Sequence, residues 1–314
     1  TELSEREKDL PEATIGKLLK IAVEDKSIVS LGPGEPDFDT PKPIVSHLKV
    51  LMKKELGHYS PPVGRKELKE ALVKKLKKKN KIKTNVDNII VTCGSQESLL
   101  LATACSLDVS EQVIIPNPSF LGYVPTFELF NANPVFVKLR EDLKFEVDPD
   151  DIKKAVNKKK TKVVMLNTPA NPTGGIIRKK ILEELADIAR QYDLYLFSDE
   201  AYEDLIYGKK HFSIGSLNGM KDNVVSFFTF SKSYAMCGYR VGYCVGPDHL
   251  IKAMTKTHIY STLSAPTISQ MMALKALSIS QNHIDKMVRE YKRRRDLIVS
   301  RLNELNLKTN VPDG

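Results

Sequence analysis

The chain has 314 residues, 41% apolar and 28% charged, a balance that excludes a disordered, collagen-like or disulfide-stapled protein. At about 150 residues per domain, this length suggests roughly two domains. Lysine and arginine (48) outnumber aspartate and glutamate (39) for a net charge of +9, and the apolar stretch 260–280 is broken by Gln270 and Lys275, so no run reaches the ~18 uninterrupted apolar residues of a membrane span.

Residues 1–8 mix acidic and basic side chains around a single leucine and hold no apolar core of a secretory signal, so the expected location is cytoplasmic, with no membrane partner. Residues 1–45 are punctuated by turn formers (Gly32, Gly34, Pro36, Pro41, Pro43) after a helical stretch expected near 15–23. The lysine run 74–83 continues a helical pattern set by Leu68, Ala71, Leu72 and Leu76. It is expected to be the solvated face and last turn of one amphipathic helix. No aromatic residues interleave with it and no zinc-finger or ribonucleoprotein motif is present, so no nucleic-acid partner is expected.

From about residue 88 short β-branched runs alternate with helical patterns. Strands are expected at 88–92, 112–115, 134–138, 162–166, 194–197, 223–228 and 240–245, and helices at 96–107, 124–130, 149–157, 178–192 and 248–257. This alternation predicts an α/β protein with a mostly parallel seven-stranded sheet. The strands are apolar at consecutive positions, as when helices cover both faces. The chain is helical from about 268, with one long amphipathic helix over 285–303. The expected division is an N-terminal arm over 1–45, a large domain over 46–280, and a small α/β domain built from both termini that begins at 281–314. Cys93, Cys105, Cys237 and Cys244 form no C-x-x-C pair; they read as free thiols, and no metal site is expected.

In a sheet of this kind ligands bind at the carboxyl ends of the strands. Four loops there carry unusual residues. Residues 92–96 (Thr-Cys-Gly-Ser-Gln) leave a strand and open a helix, which is either a phosphate seat or simply a tight turn. Residues 167–174 form a polar loop braced by prolines, which could be structural alone. Asp199 directly follows an apolar strand, where a carboxylate needs a cationic partner from the protein or a cofactor. Residues 229–242 place hydroxyls, Lys232 and Arg240 between two strands, although Lys232 taken alone could be one more surface lysine.

Taken together and in this order, the loops resemble those of the pyridoxal-phosphate-dependent aminotransferases of fold type I, classes I and II (the aspartate aminotransferase family). The segment 31–38 resembles that family's N-terminal glycine loop, and 58–64 its tyrosine-proline-glycine segment; the resemblance runs continuously over about residues 29–247. It implies pyridoxal 5'-phosphate as cofactor and Lys232 as the Schiff-base lysine that also shuttles the proton at the substrate α-carbon. Asp199 would hold the pyridine nitrogen protonated. Asn171 and Tyr202 would bond the phenolic oxygen, and Phe120 would stack on the ring. Gly94, Ser95 and Gln96 by their backbone, Thr229 and Ser231 by their hydroxyls, and Arg240 by its planar fork would hold the phosphate. Tyr59 would reach the phosphate of a neighbouring subunit, implying a homodimer with shared active sites. Gly34 and Asn171 would contact substrate, and 257–266 (His258, Tyr260, Thr262, Ser264) would enter from the partner.

The same resemblance implies amino transfer from an L-amino acid, with aspartate or aromatic side chains favoured, to a 2-oxo acid such as 2-oxoglutarate. A C–S or α,β-eliminating lyase could use the same lysine and ring, and a non-catalytic cofactor- or nucleic-acid-binding protein is a more remote alternative. The family's small domain continues into strands bearing an arginine that clamps the substrate carboxylate. Residues 311–314 resemble the segment just before them, so the small domain is expected to be incomplete here.

Overall fold

In the computed structural model, residues 34–54 and 56–314 are described continuously, together with positions 2–4, 7, 8, 10, 16, 17, 20, 21, 24, 25, 27–29, 31 and 32. The helical stretch expected near 15–23 lies largely outside the described residues. Helix α1 (Lys42–Leu51) and helix α2 (Lys66–Lys75), which runs into a π-helical turn over Leu76–Asn80, precede the sheet. The alternating part follows as β1 (Ile89–Thr92), α3 (Ser95–Ser106), β2 (Gln112–Asn117), α4 (Tyr123–Glu128), β3 (Asn133–Lys138), α5 (Pro149–Ala155), β4 (Thr161–Asn167), α6 (Lys179–Tyr192), β5 (Tyr195–Asp199), β6 (Val224–Thr229) and β7 (Gly242–Val245). Helices α7 (Asp248–Ser261), α8 (Thr267–Ala276) and α9 (Asn282–Glu304) complete the described chain.

The seven strands form one sheet in the order β1-β7-β6-β5-β4-β2-β3. Its pairings are parallel from β3 through β6, while β7 runs antiparallel to both β6 and β1. The sheet is therefore mostly parallel, as its apolar runs require. Consecutive strand residues feed opposite sides of it: Phe197, Val225 and Phe227 pack with α3 and α7 residues such as Leu101 and Leu250. Leu196 and Val224 pack with Leu182 and Leu185 of α6. Further along that second side, Ile89, Val91 and Phe228 meet α1, α2 and α8 through Ile44, Leu72 and Met272. Burying such side chains stabilises the sheet by about 1.5–3 kcal/mol each, and it is why both faces read as apolar.

The ladder extends past the apolar runs at its carboxyl edge. Asn167 pairs with Asp199, and Asp199 with Phe227, so polar residues that end a hydrophobic pattern still lie in strand geometry. One expectation needs correction. The lysine run is exposed at Lys74, Lys77 and Lys78, but Lys75 turns inward. Its ammonium lies 4.3 Å from the centre of the Phe228 ring and pairs with the buried Glu203, and Lys79 pairs with Asp204. Asp204 and Glu203 sit in the loop after β5, so Lys75 neutralises a buried carboxylate from inside while Lys79 pairs with Asp204 and stays exposed.

Candidate active site

Strand β5 ends in Asp199, and the parallel pairing holds it between the ends of β4 and β6. Burial raises its pKa; bonds to both carboxyl oxygens act against burial, from the Tyr123 hydroxyl at 2.8 Å and the Ala201 N–H at 3.0 Å, as does the nearby charge of Lys232. The Asn167 amide donates to the Asp199 carbonyl at 3.1 Å and accepts the Asn171 N–H at 2.6 Å. This ties the proline-braced loop to the aspartate strand. Asn171 in turn donates to the Tyr202 hydroxyl at 3.4 Å. Burial and the Asp199 charge push the Tyr202 phenol up to about 12, with the Asn171 bond opposing them, so Tyr202 is protonated and available as a donor.

Lys232 follows β6. Its ammonium donates to the Gly34 carbonyl at 2.6 Å and lies 5.6 Å from the centre of the Tyr202 ring. The segment carrying Gly34 is clasped to α9. Arg294 grips both Asp37 carboxylate oxygens at 2.9 and 3.0 Å, and Phe38 meets Tyr291 edge-to-face at 5.3 Å.

A cup forms where β1 turns into α3. Gly94 has φ +92° and caps the helix, a conformation open to glycine. The first-turn N–H groups at Ser95 and Gln96 have no acceptor within the helix and lie at the positive end of its dipole. The Thr229 hydroxyl bonds Ser231 at 2.9 Å. Arg240 is held in left-handed backbone (φ 50°), at a cost of about 1 kcal/mol. Its guanidinium donates to the Cys237 carbonyl at 3.0 Å and the Cys93 carbonyl at 3.3 Å. A Cβ on Gly242 would sit 2.7 Å from the Gly94 carbonyl carbon and the Ser95 nitrogen. Only a residue without a side chain lets β7 approach this turn so closely.

Gly34, Gly94, Ser95, Gln96, Phe120, Asn171, Asp199, Tyr202, Thr229, Ser231, Lys232 and Arg240 all line one cavity of about 810 Å³. Of the expected site residues Tyr59 stands apart: it is 82% exposed and does not line this cavity. Its loop is pinned by Thr267, which donates to the His58 carbonyl at 2.7 Å and bonds Ser60 at 2.9 Å. The expected 257–266 contact divides. Tyr260 is 85% exposed, whereas the His258 ring is fully buried, and Thr262 donates to Glu97. The lining residues that were not expected include Tyr123 and Asn167. Tyr123 lies 76 positions from the aspartate it bonds, so no local spacing reveals it.

A planar pyridinium with an anionic tail matches these surfaces. The buried Asp199 carboxyl calls for a cation, and the glycine-walled helix terminus with Arg240 calls for an anion. Among the described residues no cluster of histidine, cysteine and carboxylates could hold a metal ion, and no helix is long and apolar enough to cross a membrane.

A nearly parallel α/β sheet that presents a lysine, a buried aspartate, an asparagine–tyrosine pair and an arginine-lined cup at one edge defines a pyridoxal-phosphate enzyme of fold type I. Residues 26–314 match the model of the family described as aminotransferase class I and II, and the chain belongs to that family. It is 41% identical to the aspartate aminotransferase of Pyrococcus abyssi, over 96% of this chain and 78% of that one. To aromatic-amino-acid aminotransferase 2 of Thermococcus litoralis it is 40% identical, over 99% of this chain and 81% of the other. The solved aspartate aminotransferase from Thermus thermophilus with maleate superposes with a TM-score of 0.97 at 33% identity, covering 100% of this chain and 83% of that one. The chain is thus a pyridoxal-phosphate-dependent transaminase, and these relatives support amino transfer over the eliminating lyase.

Proposed function

We propose that the chain moves an amino group from an L-amino acid, aspartate or an aromatic one, to a 2-oxo acid such as 2-oxoglutarate in a ping-pong cycle. The relatives named for aspartate and for aromatic amino acids support that choice of donor. The observation that carries the mechanism is the grouping of Lys232, Tyr202 and Asp199 around one cavity.

When bound, pyridoxal phosphate supplies an electron sink for the pair left on the substrate α-carbon as its proton departs. Asp199 would hold a proton on the ring nitrogen, and the ring's positive charge would offset the cost of burying the carboxylate. Lys232 Nζ, which the Gly34 carbonyl orients, would hold the cofactor and would carry the proton at the substrate α-carbon. Asn171 and Tyr202 would donate to the phenolic oxygen, and Phe120 would stack on the ring. The backbone of Gly94, Ser95 and Gln96, the hydroxyls of Thr229 and Ser231, and Arg240 hold the phosphate. Gly34 and Asn171 border the substrate. The exposed, pinned Tyr59 suits a contact to the phosphate of a second copy, in a homodimer working in the cytoplasm. In this reading residues 46–280 bind the cofactor, and the flanks 1–45 and 281–314 contribute to a smaller domain.

The test is a half-reaction without oxo acid. Aspartate or an aromatic amino acid alone should convert the cofactor's absorbance to that of its amine form, and borohydride should fix a pyridoxyl group on Lys232. In Lys232→Ala the conversion should slow by about 10²- to 10⁴-fold. Release of ammonia or a thiol in place of the amine form, or labelling at another lysine, overturns the proposal.

A further inference from the structure

The turn that follows β5 divides its side chains between two places. Asp199 and Tyr202 line the cavity assigned to the cofactor, whereas the buried Glu200 and Glu203 do not. Backbone bonds close this turn: the Glu203 N–H donates to the Glu200 carbonyl at 3.1 Å, and the Leu205 N–H to the Tyr202 carbonyl at 2.8 Å. Tyr202 and Glu203 thus share one turn, and a shift of either is a shift of both. Tyr202 does little to fix itself. Among the described residues its hydroxyl makes one hydrogen bond, from Asn171 at 3.4 Å, longer than the roughly 2.7–3.2 Å of an ordinary N–H···O bond.

Glu203, by contrast, is held on both carboxylate oxygens. Oε1 accepts from the Lys75 ammonium at 2.5 Å and lies 3.5 Å from that of Lys79, while Oε2 accepts from the Asn80 amide at 2.6 Å. The same amide nitrogen donates to the Ser213 hydroxyl at 2.9 Å, and Ser213 donates to Glu200. One asparagine therefore ties both buried carboxylates of the turn to the end of α2. Lys75 is the last residue of that helix and Asn80 the last of its π-helical turn, and neither lines the cavity. Charge-assisted bonds in a buried site fix a side chain far more firmly than one long neutral bond does.

We propose that Glu203, clamped by Lys75 and Asn80, is a positioning residue for Tyr202: the clamp sets where the Tyr202 hydroxyl stands and so how well it meets the cofactor's phenolic oxygen. The proposal rests on the cofactor reading above. Asp199, Lys232 and Cys237 act on Tyr202 directly, and none of them belongs to the clamp. Its influence runs through the backbone of one turn.

A donor to the phenolic oxygen stabilises the negative charge there, which weakens that oxygen's hold on the proton of the nitrogen linking the cofactor to Lys232. The pH at which the bound cofactor changes colour is therefore lower with the bond than without it. The experiment titrates the absorbance of the substrate-free holoenzyme against pH. Tyr202→Phe should raise the midpoint by about 1–2 pH units, as for the loss of one hydrogen bond to a charged group. Asn80→Ala, which alters no charge, should raise it by about 0.5–1 unit, a partial loss of the same bond. In the Tyr202→Phe background Asn80→Ala should leave the midpoint within about 0.3 unit, because the hydroxyl that the clamp positions is gone. Lys75→Met, with the same pair of results expected, decides the matter if Asn80→Ala fails to fold. An unmoved midpoint in the clamp variants overturns the inference and leaves the cofactor reading standing. So does a shift that persists without the Tyr202 hydroxyl, which is what a general structural or long-range charge effect gives. A parent protein with no cofactor band, or a Tyr202→Phe variant with the parent's midpoint, overturns the cofactor reading as well.

Discussion

The Tyr123 hydroxyl donates to Asp199 at 2.8 Å, with the tyrosine 1% exposed and the aspartate wedged between strand ends. Of the two bonds to the carboxyl oxygens it is the one made by a side chain, the other coming from the Ala201 N–H. Donors to an ionised carboxylate favour the ionised form. In Tyr123→Phe one oxygen loses its partner and the Asp199 pKa rises further. The protonated ring nitrogen is then held less firmly. We expect kcat/KM for the half-reaction to fall about tenfold, equivalent to ~1.4 kcal/mol, the scale of one hydrogen bond to a charged group. The protein should still fold, and stopped-flow absorbance would detect the change. A variant as fast as the parent would mean that Asp199 does not depend on Tyr123.

Gly94 offers a backbone test of the cup. At φ +92° any side chain is strained, and a Cβ there would lie 2.9 Å from the Arg240 guanidinium. Gly94→Ala should cost about 1–3 kcal/mol of strain, relieved in part by displacing Arg240. Cofactor affinity should then drop by an order of magnitude or more, measured by titrating the cofactor-free protein. Unaltered affinity would show that the turn and Arg240 do not hold the phosphate.

The third prediction concerns stability and pH. Burial raises the Glu203 carboxyl, but the charges of Lys75 and Lys79 and the bonds from Lys75 and Asn80 hold it down to about 2, against 4.5 for an unperturbed glutamate. A carboxyl whose folded pKa lies below its unfolded one contributes stability that is present above the unfolded value and lost as pH falls toward the folded one. This contribution is therefore full near neutral pH and declines from about pH 4.5 toward pH 2. Glu203→Gln should lower stability near neutral pH by about 3–5 kcal/mol, because it strands the inward-turned Lys75. The gap to the parent should shrink toward about pH 3 in urea unfolding. A gap that does not vary with pH would place the effect in packing instead of charge.

Much of this molecule follows from local sequence. Strands buried on both faces must be apolar at successive positions, so β4, β5 and β6 announce themselves. Loops that leave a strand and enter a helix with a glycine, a lone lysine or an aspartate after an apolar run carry their chemistry within a few residues. The order of those loops is what resembles the aminotransferase family, and that resemblance singled out Lys232, Asp199, Asn171, Tyr202 and Arg240, which line one cavity. Strand ends were less legible. The hydrophobic pattern stops before Asn167 and Asp199, while the hydrogen-bonded ladder runs on through both.

Tertiary structure alone decided which distant groups share a charge or a proton. Tyr123 meets Asp199 across 76 positions, Lys75 meets Glu203 across 128, and Thr262 meets Glu97 across 165. In sequence Lys75 looks like its solvated neighbours, and His258 like one more polar residue of a segment facing a partner. Periodicity reports which face of an element is apolar, but a buried ion pair is written into two elements at once, and only their packing brings the two charges together.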